Sequence, residues 1–230
     1  MVPVSFSGEE MQLVGERAIY WQREKTLLVA DLHLEKASWY ASFGQMLPPY
    51  DSRETLERIS NLTLQTKAKR VITLGDNFHD HAGSLRLDSH STEILKGLTQ
   101  SLDWVWISGN HDEQMPRTFG GEFLNELEIN GIMLRHIAKR GERKSELSGH
   151  FHPKLRLKVR NRFISKPCAV IGRGSEYGER MILPAFGALT GGMDAKAPEI
   201  RSALSPSRAI YAVLSAKGKL VQFPLWHKAA

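Results

Sequence analysis

Three short apolar runs, almost without a polar interruption, constrain this chain most: Thr26-Leu27-Leu28-Val29-Ala30, Val71-Ile72-Thr73-Leu74 and Val105-Trp106-Ile107. A strand wetted on one face alternates apolar and polar residues; a strand that does not alternate must be covered on both faces. Helical spacing fills the intervals between the runs. Asp51 and Glu54 stand at capping-box separation, and Leu56, Ile59, Leu62 and Thr63 follow at the helical period. Between Ser91 and Leu102 the apolar positions Ile94, Leu95, Leu98 and Leu102 repeat the pattern. Strand, helix, strand, helix, strand is the order of an α/β sheet. Each run ends in a polar cluster: Asp31-Leu32-His33, Gly75-Asp76 and Gly109-Asn110-His111-Asp112. Sheets of this class bind their ligands at the carboxyl ends of strands.

The rest of the chain reads as follows. Met11–Trp21 and Lys25–Ala30 form a strand pair, and Glu35–Tyr50 a short helix and a loop over the sheet edge. After Gly120-Gly121 short strands dominate: 123–129, 132–137, 146–150, 155–164, 169–171 and 181–183. A closing hairpin pairs 210–214 with 219–223 across Lys217-Gly218, and 191–206 is a connection without periodicity. No boundary interrupts residues 1–230, a length that suits one domain. Cys168 is the only cysteine, which excludes an intrachain disulfide and speaks against thiolate metal ligands. Residues Met1–Met11 lack the basic and apolar regions of a leader, and no apolar run is long enough to cross a bilayer. A cytoplasmic protein without membrane association is expected. Lys and Arg total 31 against 25 Asp and Glu, a net charge of +6, which favours polyanionic partners.

His136, closing the strand from Ile132, and Gly149-His150-Phe151-His152 add to the strand-end clusters. In an extended strand Asp31 and His33 share a face, as do His150 and His152, so each pair converges on one point. Singly these residues have plain uses: Asp31 and Asp76 as caps, His136 as a core histidine, residues 149–152 as a turn. Together they supply carboxylates, an amide oxygen and imidazoles beyond the needs of one tetrahedral ion. Two divalent ions sharing a carboxylate fit the number, and imidazole with carboxylate suits Mn, Fe, Ni or Zn. Two such ions roughly 3.5–4 Å apart activate a water and clamp the oxygens of an in-line displacement at phosphorus. His111 is a proton carrier near neutral pH, and Asp112 stands where it can fix the imidazole tautomer.

The order D-x-H, G-D, G-N-H-D, H, G-H-x-H between Leu28 and Pro153 resembles the signature of the calcineurin-like metallophosphoesterase superfamily. That resemblance implies an α/β fold, a four-layer α-β-β-α sandwich. It implies one metal held by Asp31, His33, Asp76 and His152, and a second held by Asp76, Asn110, His136 and His150. Asp76 then bridges, and His111, oriented by Asp112, acts on the leaving oxygen.

Longer stretches, Val29 to Ala37, Leu74 to Asp80 and Leu183 to Gly192, resemble the ligase-associated DNA-damage-response endonucleases. This implies a Mn2+-dependent endonuclease acting on single-stranded DNA in repair, associated functionally with a DNA ligase, a helicase and an exonuclease. The chain departs from that group in having Glu35 where glycine is common, and Ile137-Ala138 in place of an acidic-proline pair. The G-D-x-x-D-R-G pattern of protein phosphatases is missing from Gly75–His81.

Lys154, Arg156, Lys158, Arg160 and Arg162 alternate with other residues, which in one strand places five cations on a single face, suited to tracking phosphates; an edge guarded by lysine is the plainer use. His79 and His81 lie close enough to Asp76 in sequence to touch substrate. Trp39, Tyr40 and Phe43 suit base stacking or packing over the sheet. His90 and His227 are read as structural or exposed. Two rival functions use the same residues: a small-molecule phosphodiesterase or phosphomonoesterase, and a catalytically silent binding scaffold.

Overall fold

In the structure, a computed structural model that describes residues 1–112, 117–174 and 176–227, two seven-stranded sheets lie face to face. β1 (Val2–Phe6), β2 (Glu9–Val14), β3 (Ala18–Trp21) and β4 (Thr26–Val29) form an antiparallel meander. After α1 (Lys36–Ser42) and α2 (Asp51–Thr66), strand β5 (Arg70–Leu74) lies parallel to β4. The short α3 (Gly83–Arg86) and α4 (Ser89–Ser101) lead to β6 (Asp103–Ile107), and β7 (Glu122–Leu124) completes the sheet, both in parallel.

At Asn125 the chain crosses to the second sheet with β8 (Glu126–Ile129), β9 (Ile132–Arg135) and β10 (Ser145–Ser148). A separate hairpin, β11 (Lys154–Val159) and β12 (Arg162–Pro167), interrupts that sheet. β13 (Ala169–Arg173) and β14 (Arg180–Ile182) return to it; α5 (Pro198–Ala203), β15 (Ala209–Ala216) and β16 (Lys219–His227) finish the described chain. The order across the second sheet is β16-β15-β13-β14-β10-β9-β8, with β9, β10 and β14 parallel.

Why the apolar runs do not alternate is visible in the layering. Leu28 and Ala30 face the core between the sheets, with Ile72, Leu74, Leu134 and Leu147. Their neighbours Leu27 and Val29 face Leu56 and Ile59 of α2 and Leu95 of α4. Beyond the second sheet, Val170, Ile182 and Ala212 pack against Ile200 of α5 and Leu155 of the hairpin. The layers are thus helices, sheet, sheet, and an outer layer of one short helix and a β-hairpin.

Several boundaries differ from the sequence reading. The span Met11–Trp21 is two strands, because Gly15 and Glu16 adopt positive φ (56° and 65°) and turn the chain. Asp51 does not cap its own helix: its Oδ2 accepts from the backbone N–H groups of Lys36 and Ala37 (3.0 and 3.1 Å), so it caps α1 instead. The predicted strand 123–129 divides between the two sheets.

Candidate metal centre

The polar clusters meet where the carboxyl ends of β4, β5 and β6 face those of β9 and β10. They do not meet by strand pleating. Asp31 (φ 54°), His33 (44°), Asp76 (48°), His150 (73°) and His152 (47°) all occupy the left-handed region, beyond the ends of their strands. Pairs two residues apart do converge, but through loop turns, which corrects the extended-strand argument. Such backbone costs about 1–3 kcal/mol per residue and persists only where surroundings hold it. Here the loops are laced together: Asp31 N–H donates to Gly75 O (3.1 Å), His33 N–H to Asp76 O (2.9 Å) and Leu34 N–H to Asn77 O (3.0 Å). Phe186 N–H and Gly187 N–H donate to the carbonyls of Ala30 and Asp31, so the Leu183–Gly192 segment buttresses the first loop. Two glycines leave room for the candidate ligands. A Cβ on Gly75 would lie 2.4 Å from His136 Nδ1, and one on Gly149 would lie 2.6 Å from Asp31 Oδ2.

Two sets of side-chain atoms result, each within 4.8 Å of one another: Asp31, His33, Asp76 and His152 in one, and Asp76, His136 and His150 in the other. Asp76 stands between them, its Oδ2 3.7 Å from His33 Nε2 and its Oδ1 3.4 Å from His136 Nε2. His33 Nε2 faces His152 Nε2 at 3.3 Å, and His136 Nε2 faces His150 Nδ1 at 3.2 Å. His152 Nε2 is 3.4 Å from Asp31 Oδ1. Imidazole nitrogens facing one another in a largely buried pocket, with carboxylates among them, are a donor set that a cation satisfies and an apolar core does not. His136 has the second contact expected of a ligand: its Nδ1–H donates to Leu74 O (2.9 Å), which turns Nε2 toward the site.

Charge is distributed unevenly. Burial and the neighbouring His152 push His33 far down, so its imidazole is neutral. Burial opposes charge on His136 too, but the hydrogen bond to Asp76 and the charges of Asp31 and Asp76 raise it to about 9. Asp76, disfavoured by burial, is nevertheless held well below the carboxylate range by His136 and the surrounding histidines.

His111 stands at the mouth with its side chain 44% exposed, Nε2 3.9 Å from Asp76 Oδ2, and its backbone N–H donates to Asp76 Oδ1 (3.2 Å). Asp112 does not orient it. The Asp112 carboxylate is buried and accepts from Gly109 N–H (2.9 Å), Asn77 N–H (3.0 Å), Phe78 N–H (3.3 Å) and Asn77 Nδ2 (2.8 Å). It ties the β5 loop to the β6 loop, and so positions the backbone of both Asp76 and His111. The imidazole instead lies nearly parallel to that of His79, centroids 5.7 Å apart, with Trp39 edge-on to His79 at 4.9 Å. Burial, then the neighbouring Lys36 and His111 side chains, lower His79 to about 4. Asn77 was not singled out in the sequence; its place directly after Asp76, inside the Leu74–Asp80 stretch, was the available signal.

The calcineurin-like phosphoesterase profile matches residues 24–162. The chain belongs to that family. Among solved structures it is similar to the nuclease MPE of Pseudomonas putida, with 27% identity over 97% of this chain and 98% of that one and a TM-score of 0.69, consistent with the ligase-associated endonuclease group. It is also similar to the phosphoesterase Yfce of E. coli (14% identity, 87% and 98% covered, TM-score 0.44) and to Vps29 of Entamoeba histolytica complexed with zinc (14%, 86% and 97%, 0.36). No match was found among curated proteins.

Calcineurin-like phosphoesterases use a dimetal site, and the two atom sets above are its candidate ligands here. Asn110 lies at the surface beside His136, lining an open cleft of about 570 Å³ with Ser108, Glu126 and Lys139. Glu35, where the related endonucleases favour glycine, has φ 64°; its carboxylate accepts from Ser52 Oγ (2.8 Å), and that hydroxyl accepts from the Glu35 N–H (2.7 Å). The position is left-handed, which explains the glycine, and Ser52 stabilises the replacement. His81 is exposed and shares a small crevice with Phe78 and His111. His90 is exposed 4.0 Å from Glu57, and His227 packs edge-on to Tyr211.

The basic stripe is not one strand. The chain reverses at Arg160-Asn161, both at positive φ (46° and 63°), and Val159 pairs with Arg162. Lys154, Arg156 and Lys158 share a face, Arg160 sits in the turn, and Arg162 falls on the opposite face with Leu155 and Leu157. Three cations on one face replace the expected five.

Proposed function

We propose that this phosphoesterase is a dimetal endonuclease that cleaves single-stranded DNA, with Mn2+ as its metal and a role in repair beside a ligase, a helicase and an exonuclease. The observation that carries the reading is an adjacency: Lys154, Arg156 and Lys158 begin two residues after the candidate ligand His152 and share one face of β11, with Lys154 half-buried and Arg156 and Lys158 exposed. A polyanion followed along that row leads to the candidate metal centre. Similarity to a protein described as a nuclease supports the same substrate class.

In this reading Asp31, His33, Asp76 and His152 would hold one ion and Asp76, Asn110, His136 and His150 the other, with Asp76 common to both sets. When bound, the pair supplies Lewis acidity toward the phosphoryl oxygens and a water made nucleophilic at neutral pH. The chain's own groups do the remainder. His111, open to solvent and close to Asp76, gives a proton to the leaving sugar oxygen. Asp112 and Asn77 fix the loop that carries it. His79 and His81, both beside His111, contact the substrate.

The test is cleavage of a single-stranded oligonucleotide by the purified chain with Mn2+, against the Asp76→Ala variant. Metal-dependent cleavage lost in Asp76→Ala is expected. Cleavage that survives the substitution overturns the mechanism, and hydrolysis of simple esters without any DNA cleavage overturns the substrate.

A further inference from the structure

The β11–β12 hairpin belongs to neither large sheet, and its two faces differ. Inward, Leu155 and Leu157 pack against the cluster that includes Val170, Ile200 and Ala212. Outward, β11 carries Lys154, Arg156 and Lys158, and the residues directly opposite on β12 are Pro167, Ser165 and Phe163. Phe163 is 84% exposed. A single wetted phenylalanine means little on its own. Its register gives it meaning: it stands opposite Lys158, whose Nζ lies 5.8 Å from the ring centroid, at the far end of the cation row from the metal centre.

We infer that the outward face of this hairpin is a stacking arm for single-stranded nucleic acid, with Phe163 as the platform for a base and Lys154, Arg156 and Lys158 along the phosphates. The inference rests on the nuclease reading and extends it to a named ring and a reach. Phe163 stands opposite Lys158, four residues or about 13 Å along β11 from Lys154, so it engages a nucleotide away from the cleaved bond. Charge decides the occupant. A second copy of this chain would bring the same cations against themselves, whereas a single strand supplies phosphates for the lysines and arginine and a π-face for the ring. The hydrophobic platform and the charges then have one ligand between them.

The experiment compares the Mn2+-loaded chain with Phe163→Ala and Phe163→Trp, on two substrates: an oligothymidylate long enough to span the hairpin, and bis(4-nitrophenyl) phosphate, too short to leave the metal centre. The ratio of kcat/KM for the oligonucleotide to that for the ester is expected to fall roughly tenfold in Phe163→Ala, at the lower part of the range for one base–aromatic stack. The loss lies in KM, and Phe163→Trp restores it. An unaltered ratio in Phe163→Ala, with the parent cleaving DNA well, overturns the arm and leaves the nuclease reading standing. Equal losses on both substrates make Phe163 a residue of the fold and also overturn it. A parent chain that hydrolyses the ester and neither binds nor cleaves the oligonucleotide removes the nuclease reading, and the arm with it.

Discussion

The metal centre and the β11–β12 hairpin are separated in sequence by Pro153 alone, yet they are built on opposite rules. In the centre, Asp31, His33, Asp76 and His136 are buried, and the left-handed loop residues are tied by hydrogen bonds such as Asp31 N–H to Gly75 O, His33 N–H to Asp76 O and His150 N–H to the Asp31 carboxylate. On the hairpin face, Arg156, Lys158 and Phe163 are exposed, and Lys154 reaches one backbone carbonyl, Thr190 O at 3.3 Å. Bond-making needs atoms fixed against strain. Gripping a polymer needs charge and a flat ring, and tolerates motion.

Substitutions in the two regions should therefore fail differently. The largest effect is expected for His111→Ala: kcat on DNA drops about 10²–10⁴-fold, and far less on an ester whose leaving group is 4-nitrophenolate, which needs no proton. Steady-state kinetics on the two substrates check this; equal losses would remove the general-acid role. Next comes Asp112→Ala, which leaves the N–H groups of Gly109, Asn77 and Phe78 buried without their acceptor. It should cost about 3 kcal/mol or more in urea unfolding of the metal-free chain, and activity should fall with it. A variant of undiminished stability whose His111 alone is misoriented would restore the role first read for Asp112. The smallest effect belongs to the hairpin. Replacing Lys154, Arg156 and Lys158 with serine should flatten the log–log salt dependence of single-strand binding by about 2, at ~0.7 per cation, with little change in the chemical step. A salt slope equal to the parent's would mean that the row does not touch the strand.

The same contrast explains what could be read from residues alone. The candidate ligand set was legible because ligation restricts residue type: Asp31, His33, Asp76, His136, His150 and His152 lie in two groups that share Asp76. The way they converge was not, since a left-handed turn at Asp31 or His152 leaves no mark in residues that are not glycine. Asp112 was misread because its partners, Asn77 and Phe78, are distant in sequence, and only the fold brings them together. The hairpin was misread because Arg160-Asn161 lacks the glycine that usually marks a two-residue turn of this hand. Alternation continued through the turn, and five cations looked like one face. Two-sided burial of β4, β5 and β6 was plain from their composition, whereas β1, with Pro3 and Ser5 facing out, gave no such signal.

Metal content tests the central claim most directly. The chain, stripped by chelator and titrated with Mn2+, should take up two ions, with Asp76→Ala weakening both and His150→Ala weakening one. One ion or none in the parent, or two ions bound undiminished by Asp76→Ala, would contradict a shared carboxylate between two cations.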